Sequence, residues 1–396
     1  MFEHVDAYAG DPIFSLMERF VSDPRPQKVN LTIGFYFDEN GKVPDFGCVD
    51  AAKAWLADNP LASPVYLPMD GMPDYRAAAQ KLAFGASLPQ VQERLSAIQS
   101  LGGSGALKVG ADLLKRYFPD SQVWVSNPTW DNHHSIFQGA GLATNTYRYY
   151  NPQTRQLDFN GMLEDLSKLP AQSIVLLHPC CHNPTGIDLT MEQWQQVIAI
   201  ITERKLLAFF DMAYQGFSEG LDEDIKAIQL MAESGQPFLL SQSFSKIFSL
   251  YSERIGALYV VCETPEIAQT IQGQLKFTVR TNYSTPPSYG ARLVNHVLGN
   301  EALTSLWQAE LEQMRQRMHD MRQQLVSKLT GLRPDCDFSY LAVQRGMFSY
   351  TGFSPAQVAR LKDEFGVYLI DSGRMCIAGL NNKNLDATAE AFAAIC

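Results

Sequence analysis

Short hydrophobic runs and amphipathic stretches follow one another along most of this chain, and the pattern predicts alternating strands and helices. Apolar runs bounded by turn residues are typical of buried strands, and apolar positions three or four apart predict helices. Such alternation predicts an α/β fold with a mostly parallel sheet covered by helices on both faces. The predicted strands of this sheet are residues 98–101, 123–125, 144–150, 173–177, 206–210, 238–240 and 257–261.

The helical spacing recurs between and around these strands. A long charged helix at residues 301–329 comes before a last stretch that mixes strands with helices, which predicts a second, smaller α+β unit. Residues 29–33 and parts of 338–350, 367–370 and 375–378 have the strand pattern. The predicted helices are residues 13–20, 48–56, 73–84, 106–117, 160–169, 191–202, 225–232, 301–329 and 357–365, with a final helix at the C-terminus.

Four notable side chains each follow a predicted strand, namely Trp130, Asn183, Asp211 and Lys246. Ligands of parallel α/β sheets bind beyond the carboxyl ends of the strands. Because the four side chains come after such ends, we expect them to face one site.

The segment SQSFSKIFSLYSERIG at residues 241–256 places Lys246 among small hydroxyl residues and aromatic neighbours. Burial disfavours the charged form of a lysine and makes its amine available as a nucleophile. Ser243, Ser245 and Arg254 are donors of the kind that hold a phosphate. A lysine beside a phosphate site indicates a Schiff base to pyridoxal phosphate. Taken alone, the segment is also compatible with an ordinary surface helix.

The GGSG segment at residues 102–105 lies between a predicted strand and a predicted helix. Such a turn directs backbone N–H groups towards an anion, although a simple packing turn has the same composition. The segment lacks the G-K-[ST] of a P-loop and the glycine spacing of a dinucleotide site, which argues against a dehydrogenase.

Asp211 ends the apolar run LLAFFD. A buried carboxylate is unfavourable unless it meets a cation or a strong donor. The protonated nitrogen of a pyridine ring would be such a partner, and the ring would then accept electrons from a carbanion. The alternative is that Asp211 caps the following segment.

Composition narrows the class of protein. A chain of 396 residues with 46% hydrophobic and 19% charged residues predicts a folded enzyme of two domains. The net charge of −10 argues against nucleic acid or an anionic membrane as a partner. Seven cysteines without C-x-x-C spacing, no signal pattern and no long apolar run predict reduced thiols and a cytoplasmic location.

Five dispersed motifs carry a family resemblance. They are HNPTG at 182–186, D-x-A-Y at 211–214, SFSK at 243–246, ER at 253–254 and SGR at 372–374. In order and spacing the chain resembles the aspartate/aromatic aminotransferases, fold-type I pyridoxal-phosphate enzymes of the class I aminotransferase family. The resemblance extends from DPI, which begins at Asp11, to AGL around Gly379. A non-catalytic binding module would be expected to lose Lys246.

The resemblance implies a large domain with a mostly parallel seven-stranded sheet and a smaller α+β domain. It implies an arm at residues 1–11 that reaches a partner subunit, a small domain from 12–45 and 315–396, and a large cofactor domain at 46–314. It also implies a homodimer with shared active sites, closure of the small domain on substrate, and cis peptides before Pro128 and Pro184.

The resemblance also assigns roles to residues. Lys246 would bind pyridoxal 5′-phosphate covalently and move the substrate proton, with Asp211 at the ring nitrogen. The remaining cofactor-binding residues would be Asn183 and Tyr214 at the phenolic oxygen, Trp130 on the ring, and Gly103, Ser104, Ser243, Ser245, Arg254 and a neighbouring subunit's Tyr66 at the phosphate. Substrate would meet Arg374, Gly34, Trp130, Asn183 and a neighbouring subunit's Arg280. His133 and His178 match supporting positions, and satisfied core histidines are the alternative.

The segments YLPMDG, HPCCHNPTG and QRGMFSYTG look like the bacterial aromatic branch of this family. That branch implies transfer of the amino group between phenylalanine, tyrosine, tryptophan or aspartate and 2-oxoglutarate. The alternatives are a strict aspartate aminotransferase and, from another class, a pyridoxal-phosphate lyase. Arg280 and Arg374 together favour transamination with a dicarboxylate.

Overall fold

The structure, a computed structural model, describes residues 1–7, 10, 12–61, 63 and 65–396. The predicted N-terminal arm and the DPI motif include Tyr8, Ala9 and Asp11, which lie outside the described residues. The strands are β1 (Val29–Asn30), β2 (Leu95–Leu101), β3 (Val123–Asn127), β4 (Thr144–Arg148), β5 (Tyr150–Asn151), β6 (Gln156–Leu157), β7 (Ile174–Leu177), β8 (Leu207–Met212), β9 (Phe238–Ser243), β10 (Ile255–Val261), β11 (Phe348–Tyr350), β12 (Val367–Tyr368) and β13 (Arg374–Cys376).

The helices begin with good capping signals in several places. Thr190 and Ser354 each form a capping box with the glutamine three positions on, which satisfies backbone N–H groups that a first helical turn leaves open. The helices are α1 (Pro12–Ser22), α2 (Gly47–Asp58), α3 (Pro73–Phe84), α4 (Leu88–Val91), α5 (Gly102–Tyr117), α6 (Asn132–Gly139), α7 (Phe159–Ser167), α8 (Met191–Arg204), α9 (Lys226–Glu233), α10 (Pro265–Asn282), α11 (Tyr289–Leu298), α12 (Glu301–Leu332), α13 (Ser339–Ala342), α14 (Pro355–Phe365) and α15 (Leu385–Ile395).

The described chain divides into two units, one of residues Pro44–Gln316 and one of Met1–Val43 with Arg317–Cys396. The predicted domain boundaries and the predicted arm remain predictions. Among the described helices, none has the combination of length and apolar character that a membrane crossing requires.

The larger unit contains a seven-stranded sheet, counted over the described residues. Its strands lie in the order β2-β10-β9-β8-β7-β3-β4. Neighbouring pairs among β9, β8, β7, β3 and β4 are parallel, whereas β10 is antiparallel to both β2 and β9. The predicted α/β class with a mostly parallel sheet is therefore confirmed.

Helix α5 packs against this sheet and forms the centre of a hydrophobic core. Leu107 on α5, Phe137 on α6, Phe209 on β8 and Leu258 on β10 are completely buried. Burying a side chain of this size stabilises a fold by about 1.5–3 kcal/mol. The central strands are thereby fixed, and their carboxyl ends hold constant positions for the residues that follow.

The smaller unit has short strands, as its mixed pattern predicted. β1 pairs in parallel with β12, and β11 pairs antiparallel with β13. The buried guanidinium of Arg322 donates to the carbonyl of Gly346 at 2.6 Å and to Ser349 Oγ at 3.1 Å, which fixes the start of β11.

Several predicted elements differ from the structure. Helix α5 begins at Gly102, so the GGSG segment forms the first turn of the helix and is not a separate loop. The strand predicted at 29–33 pairs over two residues only, and part of the stretch at 338–350 is helical as α13. Helices α10 and α11 were not predicted. Helix α3 has the predicted bounds.

Candidate active site

The carboxyl ends of four parallel strands bring together residues that are far apart in sequence. β3, β7, β8 and β9 run in one direction, so their ends lie at one edge of the sheet. Trp130 follows β3, Asn183 follows β7, Asp211 lies near the end of β8, and Lys246 follows β9. The larger unit therefore presents an aromatic ring, an amide, a carboxylate and an amine at the same edge.

Strand β10 adds an arginine to this edge because it runs the opposite way. Its first residue, Ile255, pairs with Leu101 at the end of β2, so Arg254 lies beside the start of α5. Gly102 has a φ of +68°, and a Cβ there would lie 2.6 Å from Arg254 Nη2. Only a glycine allows this approach of the guanidinium to the helix N-terminus.

The hydroxyl groups of Ser243 and Ser245 complete a set of donors around Arg254. Arg254 Nη1 donates to Ser245 Oγ at 3.2 Å and to the carbonyl of Tyr251 at 3.0 Å. The Ser245 amide donates to Ser243 Oγ at 3.3 Å, and a Cβ at Gly103 would lie 3.1 Å from Ser243 Cβ. Ser104 lies in the first turn of α5.

The guanidinium of Arg254 makes no ion pair with any carboxylate of the described chain. A helix N-terminus beside an arginine and hydroxyl groups is a ready site for an anion such as a phosphate. The geometry therefore provides an anion-binding cradle, which we define as Gly103, Ser104, Ser243, Ser245 and Arg254.

Asp211 is a buried carboxylate with a hydrogen-bond donor beside it. Its side chain is 7% exposed, and Oδ2 lies 3.1 Å from His133 Nε2. Burial acts to raise the pKa of Asp211, but the hydrogen bond from His133 and the positive charges of the site, among them Lys246, outweigh burial and lower the pKa. Asp211 is therefore an anion at neutral pH.

Asp211 fixes the tautomer of His133, and Thr129 bonds to the other ring nitrogen. A carboxylate can only accept, so His133 Nε2 carries the proton that faces Asp211. His133 Nδ1 then accepts from Thr129 Oγ1, 2.8 Å away. His133 thus contacts Asp211 directly with both of its ring nitrogens engaged, and its supporting role in the site stays a prediction beside that of a satisfied core histidine.

Lys246 lies in a turn after β9, half-buried between the buried side chains of Phe244 and Ile247. The alternative of an ordinary surface helix is wrong, since the described residues 244–250 contain no helix. Lys246 Nζ lies 5.0 Å from the centre of the Tyr214 ring, within the range of a cation–π contact. The amine of Lys246 and the phenol ring of Tyr214 are therefore neighbours.

Trp130 lies two residues after a cis proline, and Asn183 itself precedes a cis proline. The bonds Asn127–Pro128 and Asn183–Pro184 are cis, which confirms both predictions. The Trp130 ring meets the His133 ring edge-on, with centroids 5.2 Å apart. Asn183 is 5% exposed.

Tyr66 and Arg280 face solvent in the single chain. Tyr66 is 90% exposed, and Arg280 near the end of α10 donates from Nη1 to Ser284 Oγ at 2.5 Å. The family resemblance assigns these two residues to the active site of a neighbouring subunit. In the single chain both side chains are exposed.

The smaller unit holds Arg374 and Gly34. The Arg374 guanidinium carbon lies 4.2 Å from the centre of the Phe348 ring, and Nη2 donates to the Thr32 carbonyl at 3.1 Å. A Cβ at Gly34 would lie 2.8 Å from Phe348 Cζ. The ring of Phe348 therefore fixes the plane of the arginine and requires a glycine at position 34.

A metal ion is a weaker match to these residues. The ligand atoms of His133, His178 and Asp211 lie within 4.8 Å of one another. However, the hydrogen bond between His133 Nε2 and Asp211 uses the atoms that an ion would need. Neither ring nitrogen of His178 has a hydrogen-bond partner in the described chain, and burial lowers the pKa of His178 to about 3.

Residues 26–392 match the profile of the family described as aminotransferase class I and II. The chain belongs to this aminotransferase family. The aromatic-amino-acid aminotransferase of Escherichia coli K12 is 58% identical over the whole length of both chains. The aspartate aminotransferase of Pseudomonas aeruginosa is 45% identical and covers 99% of this chain and 98% of its own.

A solved structure of an aminotransferase is similar to this one throughout. The aromatic-amino-acid aminotransferase of Burkholderia pseudomallei, covalently bound to pyridoxal phosphate, is 44% identical, with a TM-score of 0.97. The match covers 100% of this chain and 99% of that one.

In each unit the structure shows neighbours of the predicted site residues that the sequence did not single out. Thr129 orients His133, and Phe348 packs on Arg374. Asp188 and Asp224 accept hydrogen bonds from the loops that carry Asn183 and Tyr214. Thr129 directly precedes Trp130, and Asp188 lies two residues after the HNPTG motif, which was a usable signal. Asp224 lies in a segment without a recognised motif, and Phe348 is distant from Arg374 in sequence.

Proposed function

We propose that this chain is a pyridoxal-phosphate-dependent aminotransferase. It would move the amino group between phenylalanine, tyrosine, tryptophan or aspartate and 2-oxoglutarate. The family match and the names of the similar proteins support transamination with aromatic amino acids or aspartate. The observation that carries the proposal is that Lys246 and an ionised, buried Asp211 lie at the edge of the sheet that also holds the anion-binding cradle.

The donor set suits pyridoxal phosphate in three respects. An arginine without a carboxylate partner among the described residues, two serine hydroxyls and a helix N-terminus match a phosphate. A carboxylate kept ionised in a buried position matches a protonated ring nitrogen. An amine beside a phenol matches the aldehyde and the phenolic oxygen. The residues present therefore fit the cofactor.

Particular residues would hold each part of the cofactor. Gly103, Ser104, Ser243, Ser245 and Arg254 would bind the phosphate, and Asp211 would pair with the ring nitrogen. The side chains of Asn183 and Tyr214 would donate to the phenolic oxygen, and Trp130 would stack on the ring. Tyr66 from a second copy of the chain would reach the phosphate.

When bound, pyridoxal phosphate draws electrons away from the α-carbon of an amino acid and so makes its α-proton acidic. Lys246 would bind the cofactor and then serve as the base that takes and returns this proton. Asp211 would remain ionised throughout because His133 donates to it. The two half-reactions would follow one another with ping-pong kinetics.

Two arginines would bind the carboxylates of the substrate. Arg374 would bind the α-carboxylate bidentately, helped by the Gly34 backbone, and the stacked Phe348 ring would keep its guanidinium in one plane. Arg280 from a second copy would pair with the side-chain carboxylate of aspartate and turn aside for an aromatic ring. The exposure of Arg280 and Tyr66 in the single chain supports a homodimer with shared sites.

The test is a substrate panel. The purified protein with pyridoxal phosphate is incubated with phenylalanine, tyrosine, tryptophan or aspartate and 2-oxoglutarate, and the 2-oxo acids are measured. We expect comparable turnover of aromatic and dicarboxylic donors. Turnover of aspartate alone would identify a strict aspartate aminotransferase, and ammonia release without amino transfer would identify a lyase.

A Lys246→Ala variant provides the control. Its proton transfer should slow by roughly 10²–10⁴-fold, the loss typical of a missing general base. A variant that keeps full turnover would contradict the role of Lys246. Analytical ultracentrifugation tests the dimer, and mixing inactive Lys246→Ala with inactive Arg280→Ala chains should restore aspartate turnover only if sites are shared.

A further inference from the structure

Two loops beside the sheet edge each end at a carboxylate. We call residues 178–188 the asparagine loop, because it carries Asn183, and residues 213–224 the tyrosine loop, because it carries Tyr214. The asparagine loop ends at Asp188 and the tyrosine loop ends at Asp224. Neither carboxylate has a role in the function proposed above, on which the following inference rests.

Asp188 closes the asparagine loop onto its own backbone. Its Oδ2 accepts from the amide of Cys181 and its Oδ1 from the amide of His182, each at 2.8 Å. These two amides immediately precede Asn183. The carboxylate therefore fixes the direction in which the chain enters Asn183.

Asp224 does the same for the tyrosine loop. Its side chain is 4% exposed and accepts from three backbone amides, those of Gly216, Ser218 and Glu219, at 2.8, 3.0 and 2.9 Å. The turn that leaves Tyr214 is thereby wrapped around one carboxylate. A carboxylate is the acceptor that suits such a cluster of N–H donors, since it offers about four lone-pair positions.

Ser218 joins the two carboxylates. Its amide donates to Asp224 Oδ2, and its hydroxyl donates to Asp188 Oδ2 at 3.0 Å. A second link runs directly between the loops, because the Cys181 thiol contacts the Tyr214 carbonyl at 3.7 Å. The two loops are therefore held to one another by polar contacts that leave Asn183 and Tyr214 on adjoining segments.

We propose that Asp188 and Asp224, joined through Ser218, are positioning residues that hold Asn183 and Tyr214 in register with each other for the phenolic oxygen of the cofactor. Two donors can serve one oxygen only when their separation is fixed. Five backbone amides and one hydroxyl on two carboxylates fix it more firmly than the loops could by packing alone.

The inference has a spectroscopic consequence. Hydrogen bonds from Asn183 and Tyr214 favour the deprotonated form of the phenolic oxygen and so lower the pH at which the absorbance band of the bound cofactor titrates. Loosening Asp188 should weaken one of these bonds. The midpoint of the absorbance titration should then rise, whereas a general loss of stability would leave it in place.

The experiment compares Asp188→Ala and Ser218→Ala with Asp158→Ala in the holoenzyme. Asp158 is a matched control because it also accepts from a backbone amide, that of Gly161 at 3.0 Å, but it caps α7 away from both loops. Each protein is titrated by absorbance, its kcat and KM are measured, and amide hydrogen exchange is followed in the cofactor-free protein.

For Asp188→Ala we expect the titration midpoint to rise by about one pH unit, the equivalent of one weakened hydrogen bond. Its kcat should fall about tenfold, with KM for the amino donor changed by less than about twofold. Ser218→Ala should shift both quantities in the same direction by less. The amides of Cys181 and His182 should exchange faster in Asp188→Ala, and Asp158→Ala should match the wild type.

An unchanged midpoint in both Asp188→Ala and Ser218→Ala would overturn the inference, and so would an equal shift in Asp158→Ala. If Asp188→Ala does not fold, Ser218→Ala decides the question, because it removes one hydroxyl only. Failure of the proposed function would appear in the wild type itself, as a protein without a cofactor band, and is thereby distinguished from failure of the inference.

Discussion

Asp211 and Asp224 are two buried carboxylates of the larger unit whose surroundings move their pKa values in opposite directions. Burial raises the pKa of both. At Asp211 the donor His133 and the charge of Lys246 outweigh burial and lower the pKa. At Asp224 three backbone amides do not outweigh burial, the neighbouring Asp188 adds repulsion, and the pKa rises to about 6.

The difference shows what keeps a buried carboxylate ionised. Backbone amides carry only partial charges, and they stabilise the anion less than a side chain that can bear a full positive charge. Asp211, which faces the proposed cofactor, has such neighbours, whereas Asp224, which organises a loop, has none in direct contact among the described residues. The direction of the pKa shift thus distinguishes Asp211, which would pair with a cationic ring nitrogen, from Asp224, which binds the backbone amides of a loop.

Replacing each carboxylate by its amide should give the largest contrast. Asp211→Asn should lower kcat by about 10²–10³-fold, because a neutral amide cannot balance a protonated ring nitrogen. Asp224→Asn should lower kcat only about tenfold, since it acts through the tyrosine loop. Steady-state rates with phenylalanine and 2-oxoglutarate at saturating cofactor measure both, and equal losses would remove the distinction.

Acid should stabilise the fold through Asp224. Its folded pKa is raised above the unfolded value near 3.8, so the folded state binds more protons between these values and stability rises as pH falls through pH 6. From pH 7 to pH 4 the wild type should gain about 2 kcal/mol in unfolding free energy relative to Asp224→Asn. Urea unfolding at each pH measures this difference, and a constant offset between the two proteins would contradict the raised pKa.

Asp211 should show the opposite sign over a lower range of pH. Its folded pKa is lowered, so its contribution to stability is present above its ordinary value of 3.8 and is lost as pH falls below it. The unfolding free energy of the wild type relative to Asp211→Asn should therefore decrease between pH 4 and pH 3. The same urea series gives the result, and a rise in that range would refute the opposition between the two carboxylates.

The smallest effect concerns the hydroxyl that orients His133. Thr129→Val removes the donor to His133 Nδ1 and should lower the unfolding free energy by about 1 kcal/mol. Thr185→Val is the control, since Thr185 Oγ1 lies 2.7 Å from His182 Nδ1 and also accepts from the Ile187 amide at 3.1 Å. It should lose at least as much stability as Thr129→Val, but only Thr129→Val should weaken the acid response attributed to Asp211.

The arrangement of the sheet edge could be predicted from the sequence to a large extent. An apolar run that stops at a polar or aromatic residue predicts the end of a strand, as at Asp211. Parallel alternation then brings Trp130, Asn183 and Lys246 to the same side without any further information. The place of these side chains follows from the period of the apolar pattern, which is local, and from the alternation of strands with helices, which favours parallel pairing.

The remaining features depend on contacts that no local pattern contains. The reversal of β10 depends on pairing with β2 and β9, and it alone explains why Arg254 lies beside the N-terminus of α5. Asp224 accepts from amides within its own loop, but its pKa is raised first by burial in the folded chain and then by repulsion from Asp188, which lies in a different part of the chain. Helices α10 and α11 were not predicted, although the buried residues Leu275 and Val279 of α10 and Leu293, Val294 and Val297 of α11 lie at helical spacing.

The reversed direction of β10 limits which insertions and deletions the connection between β9 and β10 can accept. The chain leaves β9 and re-enters the sheet through β10 on the same side, so a single hairpin connection carries both the amine of Lys246 and the guanidinium of Arg254. Lengthening or shortening that connection would displace the nucleophile and the anion anchor at once. Variation is therefore confined to substitutions within a fixed length, and new substrate preferences have to arise from other segments.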